Sequence, residues 1–567
     1  MSCIKSAATF RLFLHTIFAC AYLSFLTTAA IAQGPGPDAE LLFTTQHPNP
    51  DSGDAFGQSF DSSTIGDGIL AVGTPMDAVD GNAAEGSVQI YEAGAHTASL
   101  TAPDGQAYSK FGSSVSINDA GDVIAVGAPG PSDGENGGVD FSGKIYLYHN
   151  ADDGTGWNFL TVIAGTDDEG YGSTLAQLGD WIAVGAPSAS NTHNNQGAVH
   201  MILKDGDCIY NSDHTVYAND PQDDASFGSA LSFSESEYGD ALLIGDPGND
   251  ELGADAGAVY DAYLDGGEFT VYMKYTADDA TAGAEFGASV STVQDDYYFA
   301  VGAPGDAGVG AVYELRLDNN YQDKIQPCDL EAGDRFGASV SYTYELLEEI
   351  EEYEYIIAAG APMADRIWTE GAVAHELLDA GKVYVFNYPH EIGEWNLTAI
   401  VSRGTSAEAG AHFGHAVLLE GMDQLLVSAP EEDGQGLLYT YELIDGTPPA
   451  VDVLDVPDYA TCEDGDDYVL DLQEYITNTS NDALEFSING SFIQSTELSV
   501  SNAGSVVTVD FSPLGAFEQD ITVDVHNIMT CEDLSITFHV TEVPYVAGLD
   551  VEASETSSLL TADGAIE

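Results

Sequence analysis

Basic residues are scarce in this sequence: 12 lysines and arginines stand against 94 aspartates and glutamates, giving a formal net charge of −82 at pH 7. A protein that binds nucleic acid, or the anionic surface of a membrane, needs clustered positive charge. The composition therefore argues against both partners. Three interpretations of the acidity stay open: solvation in a saline medium, a surface that binds cations, and a docking surface for a basic partner.

Long apolar runs are also scarce, and the N-terminus holds the one that could enter a membrane. Lys5 and Arg11 precede or flank an apolar stretch, and Ala30-Ile31-Ala32 offers a small-x-small cleavage site. We expect residues 1–32 to be an export signal, so that the mature chain is secreted or held at the cell surface without membrane insertion. A retained membrane anchor is the alternative.

Cysteine is the third scarcity. Four of the six cysteines lie beyond the export signal, which is too few for a dense disulfide framework, and none has the CxxC spacing of a metal site. Cys462 and Cys531 each occupy a Thr-Cys-Glu-Asp tetrapeptide and could form a disulfide outside the cytosol. The sequence gives no reason to pair Cys208 with Cys328.

What the sequence does contain is a stretch repeated seven times. Each copy begins with Phe-Gly or Tyr-Gly, includes a short apolar run and ends in Gly-x-Pro, except that the seventh has Ser428 in place of the glycine. A second signature follows each copy after a polar loop, for example GKIYLY from Gly143. The copies begin at Phe56, Phe111, Tyr171, Phe227, Phe286, Phe336 and Phe413.

This spacing predicts an all-β protein whose main part is a seven-bladed β-propeller. A single four-stranded sheet cannot cover both of its apolar faces, whereas blades stacked around an axis cover one another. We expect the aromatic residue of each Phe-Gly to lie between neighbouring blades. The segment Glu40–Thr45 has no repeat of its own, and we expect it to complete blade seven and close the ring.

After the last repeat the pattern changes. From about Val451, segments such as DYVLDL and DITVDVHN alternate apolar and polar residues between turn residues, which predicts a small antiparallel β-sandwich. The predicted domains are therefore an export signal, a propeller, a sandwich and a polar tail, at residues 1–32, 33–446, 447–551 and 552–567.

The two paired signatures resemble the FG-GAP repeats of the integrin α-subunit head propeller. The resemblance covers about residues 40–445 and implies the propeller fold, but not one particular function. The segment after the propeller is similar to cadherin-like or immunoglobulin-like modules, although the calcium-ligand motifs of cadherins are not evident.

The resemblance also implies calcium as the one cofactor to consider. In integrin-like propellers some blades carry closely spaced oxygen ligands in the turn after the Phe-Gly strand. Asn118, Asp119 and Asp122 come nearest to that pattern, but they supply too few ligands. The alternative is an ordinary hairpin turn.

Acidic residues are frequent in two other kinds of loop, those after Gly-x-Pro and those leading into each Phe-Gly. In a propeller both kinds should emerge on one face, which would concentrate negative charge there. The alternative is a face that is merely well solvated in salt. The candidate ligand-face residues are Asp77, Asp80, Glu85, Asp133, Glu135, Asp140, Asp250 and Asp255.

Enzyme motifs have little support. Ser132 lies in GPSDG, which matches G-x-S-x-G, but a nucleophile elbow must lead into a helix and a loop sequence follows here. The sequence therefore favours a non-enzymatic binding or adhesion protein with an extracellular protein or glycan ligand. The alternatives are a polysaccharide- or phospholipid-acting hydrolase or lyase, and a structural surface-layer component.

Repeat six carries extra residues. It contains the insertion LLEEIEEYEY. Its next loop holds apolar residues that could form a partner patch or a short helix packed on the rim, with local packing as the alternative: Ile367, Trp368, Leu377 and Leu378.

Overall fold

A computed structural model describes most of the repeat region and, beyond it, a set of strands. The described residues are 39–63, 68–131, 142–151, 156–167, 169–205, 209–235, 240–293, 298–316, 321–347, 352–370, 373–388, 395–403 and 408–443, with strands between 451 and 542. Within this part of the chain, no helix is both long enough and apolar enough to cross a membrane.

Seven four-stranded antiparallel sheets form the blades. Blades 1 to 3 comprise β2 (Phe60–Ser63), β3 (Ile69–Thr74), β4 (Ser87–Glu92) and β5 (Ala95–Leu100); β6 (Ser114–Ile117), β7 (Val123–Ala128), β8 (Ser142–Ala151) and β9 (Gly156–Asp167); and β10 (Thr174–Leu178), β11 (Trp181–Ala186), β12 (Ala198–Lys204) and β13 (Tyr210–Val216).

Blades 4 to 6 follow the same order. They comprise β14 (Leu231–Ser234), β15 (Ala241–Asp246), β16 (Ala258–Asp265) and β17 (Glu268–Tyr275); β18 (Ser289–Thr292), β19 (Tyr298–Ala303), β20 (Ala311–Arg316) and β21 (Tyr321–Ile325); and β22 (Ser339–Leu347), β23 (Glu352–Ala361), β26 (Lys382–Tyr388) and β27 (Asn396–Val401). The strands β24 (Arg366–Glu370) and β25 (Val373–Leu377) form a separate hairpin between β23 and β26.

Blade 7 joins the two ends of the ring. Its strands are β28 (Val417–Glu420), β29 (Gln424–Ala429), β30 (Leu437–Leu443) and β1 (Ala39–Thr45). Strand β1 pairs antiparallel with β30, so that Ala39 lies opposite Leu443 and Thr45 opposite Leu438. The predicted closure by the first strand is therefore confirmed, and it leaves β30 with a partner on each side.

The position of a strand in its blade follows from its apolar content. The second strand, such as β7 with the sequence VIAVGA, is buried at every residue because sheet neighbours and other blades surround it. The fourth strand, such as β5 with the sequence AHTASL, exposes most of its residues on the outer rim. The repeated apolar run is thus the core of each blade.

The aromatic residue of each Phe-Gly joins two blades. Phe111 is fully buried in a cluster that contains Val88 and Ile90 of blade 1 together with Tyr146 and Tyr148 of blade 2. Its ring meets that of Tyr146 edge-on, with 5.3 Å between centroids. Such clusters between neighbouring blades form the core of the ring.

Two glycine positions in the repeat have a steric cause. Gly86, which opens the second signature, has φ +88°, and a Cβ there would overlap the carbonyl oxygen of Phe111 in the next blade. Gly73, in Gly-x-Pro, faces the carbonyl of Gly112 and the hydroxyl of Ser59. Both close approaches draw neighbouring blades together.

The exception in the seventh repeat has a compensating change. Ser428 replaces the Gly-x-Pro glycine, and Ala416 occupies the place that Ser59 has in the first repeat. The first repeat therefore has its serine at the position of Ser59, and the seventh has it at the glycine position instead. Ser428 Oγ accepts the backbone N–H of Ala416 at 3.0 Å.

Beyond the propeller, the described strands pair into three small sheets. These contain β31 (Val451–Val453) with β34 (Ile476–Asn478); β33 (Tyr468–Asp471), β37 (Val506–Phe511) and β36 (Leu498–Ala503); and β32 (Tyr459–Thr461), β39 (Glu532–Glu542), β38 (Phe517–Asn527) and β35 (Leu484–Ile488). The sandwich that they would form stays a prediction. Cys462 and Cys531 lie outside the described residues.

Cys328 differs from the sequence-based expectation. The sequence offers no partner for it, yet its thiol is part of a disulfide bond. Every other cysteine of the chain lies outside the described residues.

Candidate functional site: the loop face

Two kinds of loop meet at one end of the blades. The loops after Gly-x-Pro and the loops that lead into each Phe-Gly hydrogen-bond through their backbones, for example Gly283 N–H to Ala254 O at 2.7 Å and Gly333 N–H to Gly308 O at 2.8 Å. Two short 3₁₀ turns, Asp306–Gly308 and Glu432–Gly434, belong to these loops. We call this surface the loop face.

Each of the seven repeats has a loop-face acid that lies beside a base, and we call these seven contacts the anchor pairs. Five use lysine or arginine and two use histidine. They are Lys144–Asp104 (2.5 Å), Lys274–Asp220 (2.7 Å), Lys324–Asp279 (2.8 Å), Lys382–Asp329 (3.0 Å), Arg403–Glu432 (3.0 Å), His47–Asp77 (3.7 Å) and His200–Glu169 (3.1 Å).

The tyrosine of the second signature donates a hydrogen bond to the acid in all five lysine and arginine pairs. The hydroxyl of Tyr146 reaches Asp104 at 2.6 Å, and that of Tyr439 reaches Glu432 at 2.7 Å. The other three are Tyr260 to Asp220, Tyr313 to Asp279 and Tyr384 to Asp329. Because the tyrosine also packs on the Phe-Gly ring, each anchor pair fixes a loop to the core between two blades.

Three of the lysine pairs keep their acids ionised, whereas burial raises the pKa of Glu432 in the arginine pair. Burial alone would raise the pKa of the Asp104, Asp220 and Asp279 carboxyls, but hydrogen bonds from lysine and tyrosine outweigh it and hold each pKa below its ordinary value. The same contacts raise the pKa of Lys274 and Lys324 against the opposing effect of burial. These contacts are therefore ion pairs at neutral pH.

The histidine pairs differ because an imidazole need not carry charge. Burial lowers the pKa of His200, although Glu169 opposes this effect. His200 is also within 3.2 Å of the Thr215 hydroxyl. The acids of repeats 1 and 3 consequently lack the permanent cation that lies beside the acids of the other five repeats.

The candidate ligand-face residues divide into exposed and buried ones. Asp80, Asp250 and Asp255 are exposed, and Asp250 accepts the Asp255 backbone N–H at 2.8 Å. Asp77 is half-buried between His47 and the Ser87 hydroxyl, which donates to it at 2.6 Å. The proposed residues Asp133, Glu135 and Asp140 lie outside the described residues.

Glu85 requires a correction, because it is not available to a ligand. Its side chain is only 3% exposed, and the Asn82 amide donates to Oε2 at 2.7 Å. Gly105 lies against this carboxylate so closely that a Cβ would overlap it. Glu85 therefore packs against the loop that leads into Phe111.

Most of the remaining loop-face acids have no base beside them. Two exposed ones do form ion pairs, Glu251 with Lys274 at 2.6 Å and Glu431 with His412 at 3.4 Å. Among the described residues, no ion pair to a base is found for the exposed acids Asp51, Asp80, Asp223, Asp224, Asp250, Asp255, Asp278, Glu331 and Asp433. The bases of the anchor pairs therefore hold the loops on the ring, while the exposed acids make the outer surface of the loop face strongly negative.

The nearest match to a calcium turn is a hairpin at the opposite end of blade 2. The side-chain oxygen of Asn118 accepts the backbone N–H groups of Asp122 and Val123, and its amide donates to Asp122. Asp119 is exposed. In the described part of the chain, no group of three or more histidine, cysteine, aspartate or glutamate side chains is placed to hold a metal ion.

The extra residues of blade 6 form strands rather than a helix. The loop after Pro362 folds into the β24–β25 hairpin, with Trp368 opposite His375 in the register. At its base is a cavity of about 230 Å³ lined by Glu331, Ala332, Gly333, Asp334, Met363, Asp365, Leu378 and Asp379. The repeat-six insertion lengthens β22 and β23.

Comparisons with known proteins agree with this architecture. Residues 95–148 match the FG-GAP repeat family model. This range runs from the outer strand of blade 1 into β8 and includes Phe111. A search of curated proteins finds no match.

Solved structures with a similar fold are distant. They include Saccharomyces cerevisiae Sqt1 (11% identity, TM-score 0.39, 72% of this chain and 100% of that chain) and the WD40 domain of fission yeast SCAP (8%, 0.36, 72% and 97%). An ancestral GH74 enzyme also matches (10%, 0.38, 71% and 50%). Similarities at this level carry no argument about activity.

The anchor pairs are absent from the sequence-based predictions, although the sequence contains a signal for them. An aspartate lies seven residues before the Phe-Gly of four repeats: Asp104, Asp220, Asp279 and Asp329. In the same four repeats, tyrosine follows the glycine of the second signature by three residues. Two positions that recur together in repeats indicate a shared contact.

Proposed function

We propose that this chain is an exported, non-enzymatic binding protein that recognises an extracellular protein or glycan through its loop face. In this proposal the propeller acts as in the integrin-like head, and the C-terminal strands form a sandwich that serves as a spacer or second contact. Export, adhesion and calcium dependence belong to the proposal.

One observation carries the proposal: the loop face combines loops that the anchor pairs hold in place with exposed acids that have no base beside them. The anchor pairs hold the loops on a rigid ring, so a ligand would meet a largely preformed surface and little loop entropy would be lost on binding. The exposed acids above them are not balanced by described bases, so the surface selects its partner by charge.

The same geometry favours binding over catalysis. Asp104, Asp220 and Asp279 have lowered pKa values, so they cannot act as general acids near neutral pH.

The test is a glycan and matrix-protein array probed with the mature full chain, with and without calcium. The loop-face variant carries Asp80→Asn, Asp223→Asn, Asp250→Asn, Asp278→Asn, Glu331→Gln and Asp433→Asn. The control has the same charge change at exposed acids away from the loop face: Asp119→Asn, Asp180→Asn, Asp205→Asn, Asp213→Asn, Asp265→Asn and Glu268→Gln.

We expect the loop-face variant to lose the ligand and the control to keep it. Equal binding by both variants would refute the proposed surface. Turnover of a polysaccharide or phospholipid, abolished by one loop-face carboxylate substitution, would overturn the non-enzymatic assignment.

A further inference from the structure

The β24–β25 hairpin forms a small sheet of its own. Among the described residues its two strands pair only with each other, in contrast to the four-stranded blade from which they arise. Two strands alone are marginally stable in water. The equivalent loop of blade 4, between Asp246 and Gly257, contains no strand, so the hairpin adds a surface to the loop face at blade 6.

A cavity that combines charge with apolar surface lies at the base of this hairpin. Glu331, Asp334, Asp365 and Asp379 contribute carboxylates to its lining. Leu378 belongs to the same lining and is 56% exposed. Met363 adds a second apolar side chain.

The cavity lining is held in place by hydrogen bonds. Asp365 accepts the backbone N–H of Asp379 at 2.9 Å, and Asp334 accepts that of Glu331 at 2.8 Å. The carbonyl of Leu378 accepts the Gly410 N–H at 2.9 Å. The four carboxylates therefore belong to a formed concavity rather than to separate loops.

The bases nearest in the sequence balance these four acids only in part. Lys382 donates to Asp329 and also attracts the Asp334 carboxylate, whereas Arg335 donates to Glu285 at 2.6 Å. Arg366 begins the hairpin. Even one arginine would leave an excess of negative charge beside an exposed leucine.

We propose that the hairpin and this cavity are the docking site for an extended protein segment that carries a lysine or arginine between apolar residues; this rests on the proposed function. A long basic side chain matches the lining, because its methylene stem contacts Met363 and Leu378 while its charged end meets the carboxylates. The backbone of the segment adds to a free edge of the two-stranded sheet. Charge complementarity and apolar contact thus select the same partner.

The experiment uses the mature full chain and a labelled short peptide of alternating lysine and leucine, with binding measured by fluorescence anisotropy at low and high salt. Two comparison peptides replace leucine by serine or lysine by glutamate. The test variant is Asp365→Asn/Asp379→Asn. Asparagine keeps the carbonyl that accepts the backbone N–H and tolerates the positive φ of 52° at position 379.

Blade 4 offers a matched control. In Asp250→Asn/Asp255→Asn the same two charges are removed from the same kind of loop, where Asp250 likewise accepts the Asp255 N–H and Asp255 also has φ 52°. Leu378→Ser is a second test variant that changes no charge. Thermal unfolding of every variant establishes that it is folded.

We expect the blade 6 pair to weaken lysine–leucine binding about tenfold and the blade 4 pair less than about twofold. Leu378→Ser should abolish the preference for the lysine–leucine peptide over lysine–serine. Equal losses in the two blades, equal affinity for both basic peptides, or no binding of either would overturn the docking site. None of these results refutes the proposed function, which is tested separately by the six-residue loop-face variant with its own ligand and by the turnover assay.

Discussion

Replacing Asp261 by asparagine should remove about 3 kcal/mol of the pH dependence of stability between about pH 5 and pH 7. Asp261 lies in β16, two residues after Val259, and so on the face of blade 4 that packs against blade 5. It is only 3% exposed, and no hydrogen bond to its Oδ2 is found among the described residues. Burial raises its pKa from 3.8 to about 7.

The shift in the pKa of Asp261 determines the direction and the size of the change in unfolding free energy with pH. The unfolded chain ionises Asp261 above about pH 4, whereas the folded chain keeps it protonated until about pH 7. The native state therefore loses stability as pH rises between those values, by about 1.4 kcal/mol for each pH unit. Between pH 5 and pH 7 this amounts to about 3 kcal/mol. Asparagine resembles the protonated acid and does not titrate.

The assay is urea unfolding of the wild type and two variants at both pH values. Asp265→Asn is the control, because Asp265 ends the same strand and is exposed. The control should keep the wild-type pH dependence, which includes the mutual repulsion of the many surface acids. If Asp261→Asn kept it as well, the carboxylate would be ionised in the folded chain and the reasoning from burial would be refuted.

Three further substitutions or deletions test the ring and its anchors. Deleting residues 33–45 should lower the calorimetric unfolding temperature and promote association through the opened edge of β30, while deleting 33–38 should do neither. Gly86→Ala should lower the free energy of unfolding in urea by about 3 kcal/mol or more, because its Cβ would overlap the Phe111 carbonyl. Gly81 also has a positive φ but lies in open space, so Gly81→Ala should lower it by about 1 kcal/mol. Lys274→Met should cost about 1–2 kcal/mol, since Asp220 stays partly solvated, and adding Asp220→Asn should recover part of that loss, whereas full additivity would argue against an ion pair.

The repeat made the ring predictable because its spacing reports on strands and turns. Strands must be paired and their apolar residues buried, and this requirement makes the positions of Phe111, Gly86 and the closing strand predictable. The hairpin in blade 6 was harder to predict. Its apolar residues are few, and Gly371 interrupts them, so hydrophobic periodicity cannot separate a short helix from two short strands.

The loop-face details depend on geometry that a single sequence does not contain. Lys144 and Asp104 are forty residues apart, and in blade 4 the lysine comes from the fourth strand rather than the third. The burial of Glu85 depends on how closely Gly105 approaches it. The export signal, the sandwich and calcium binding stay predictions.

The positions of the lysines and arginines help to decide whether the acidic surface serves solvation in salt or docking of a basic partner. Five of the 12 lysines and arginines form anchor pairs, although general solvation in salt would not require bases at these repeated positions. Partly buried pairs are screened by salt much less than exposed charges. The loops should therefore keep their order over a range of salt concentrations at which attraction of the exposed acids for a basic partner declines. Salt thus separates the two contributions: an affinity that falls while the fold stays intact identifies a docking surface, and a fold that weakens when salt is removed identifies solvation.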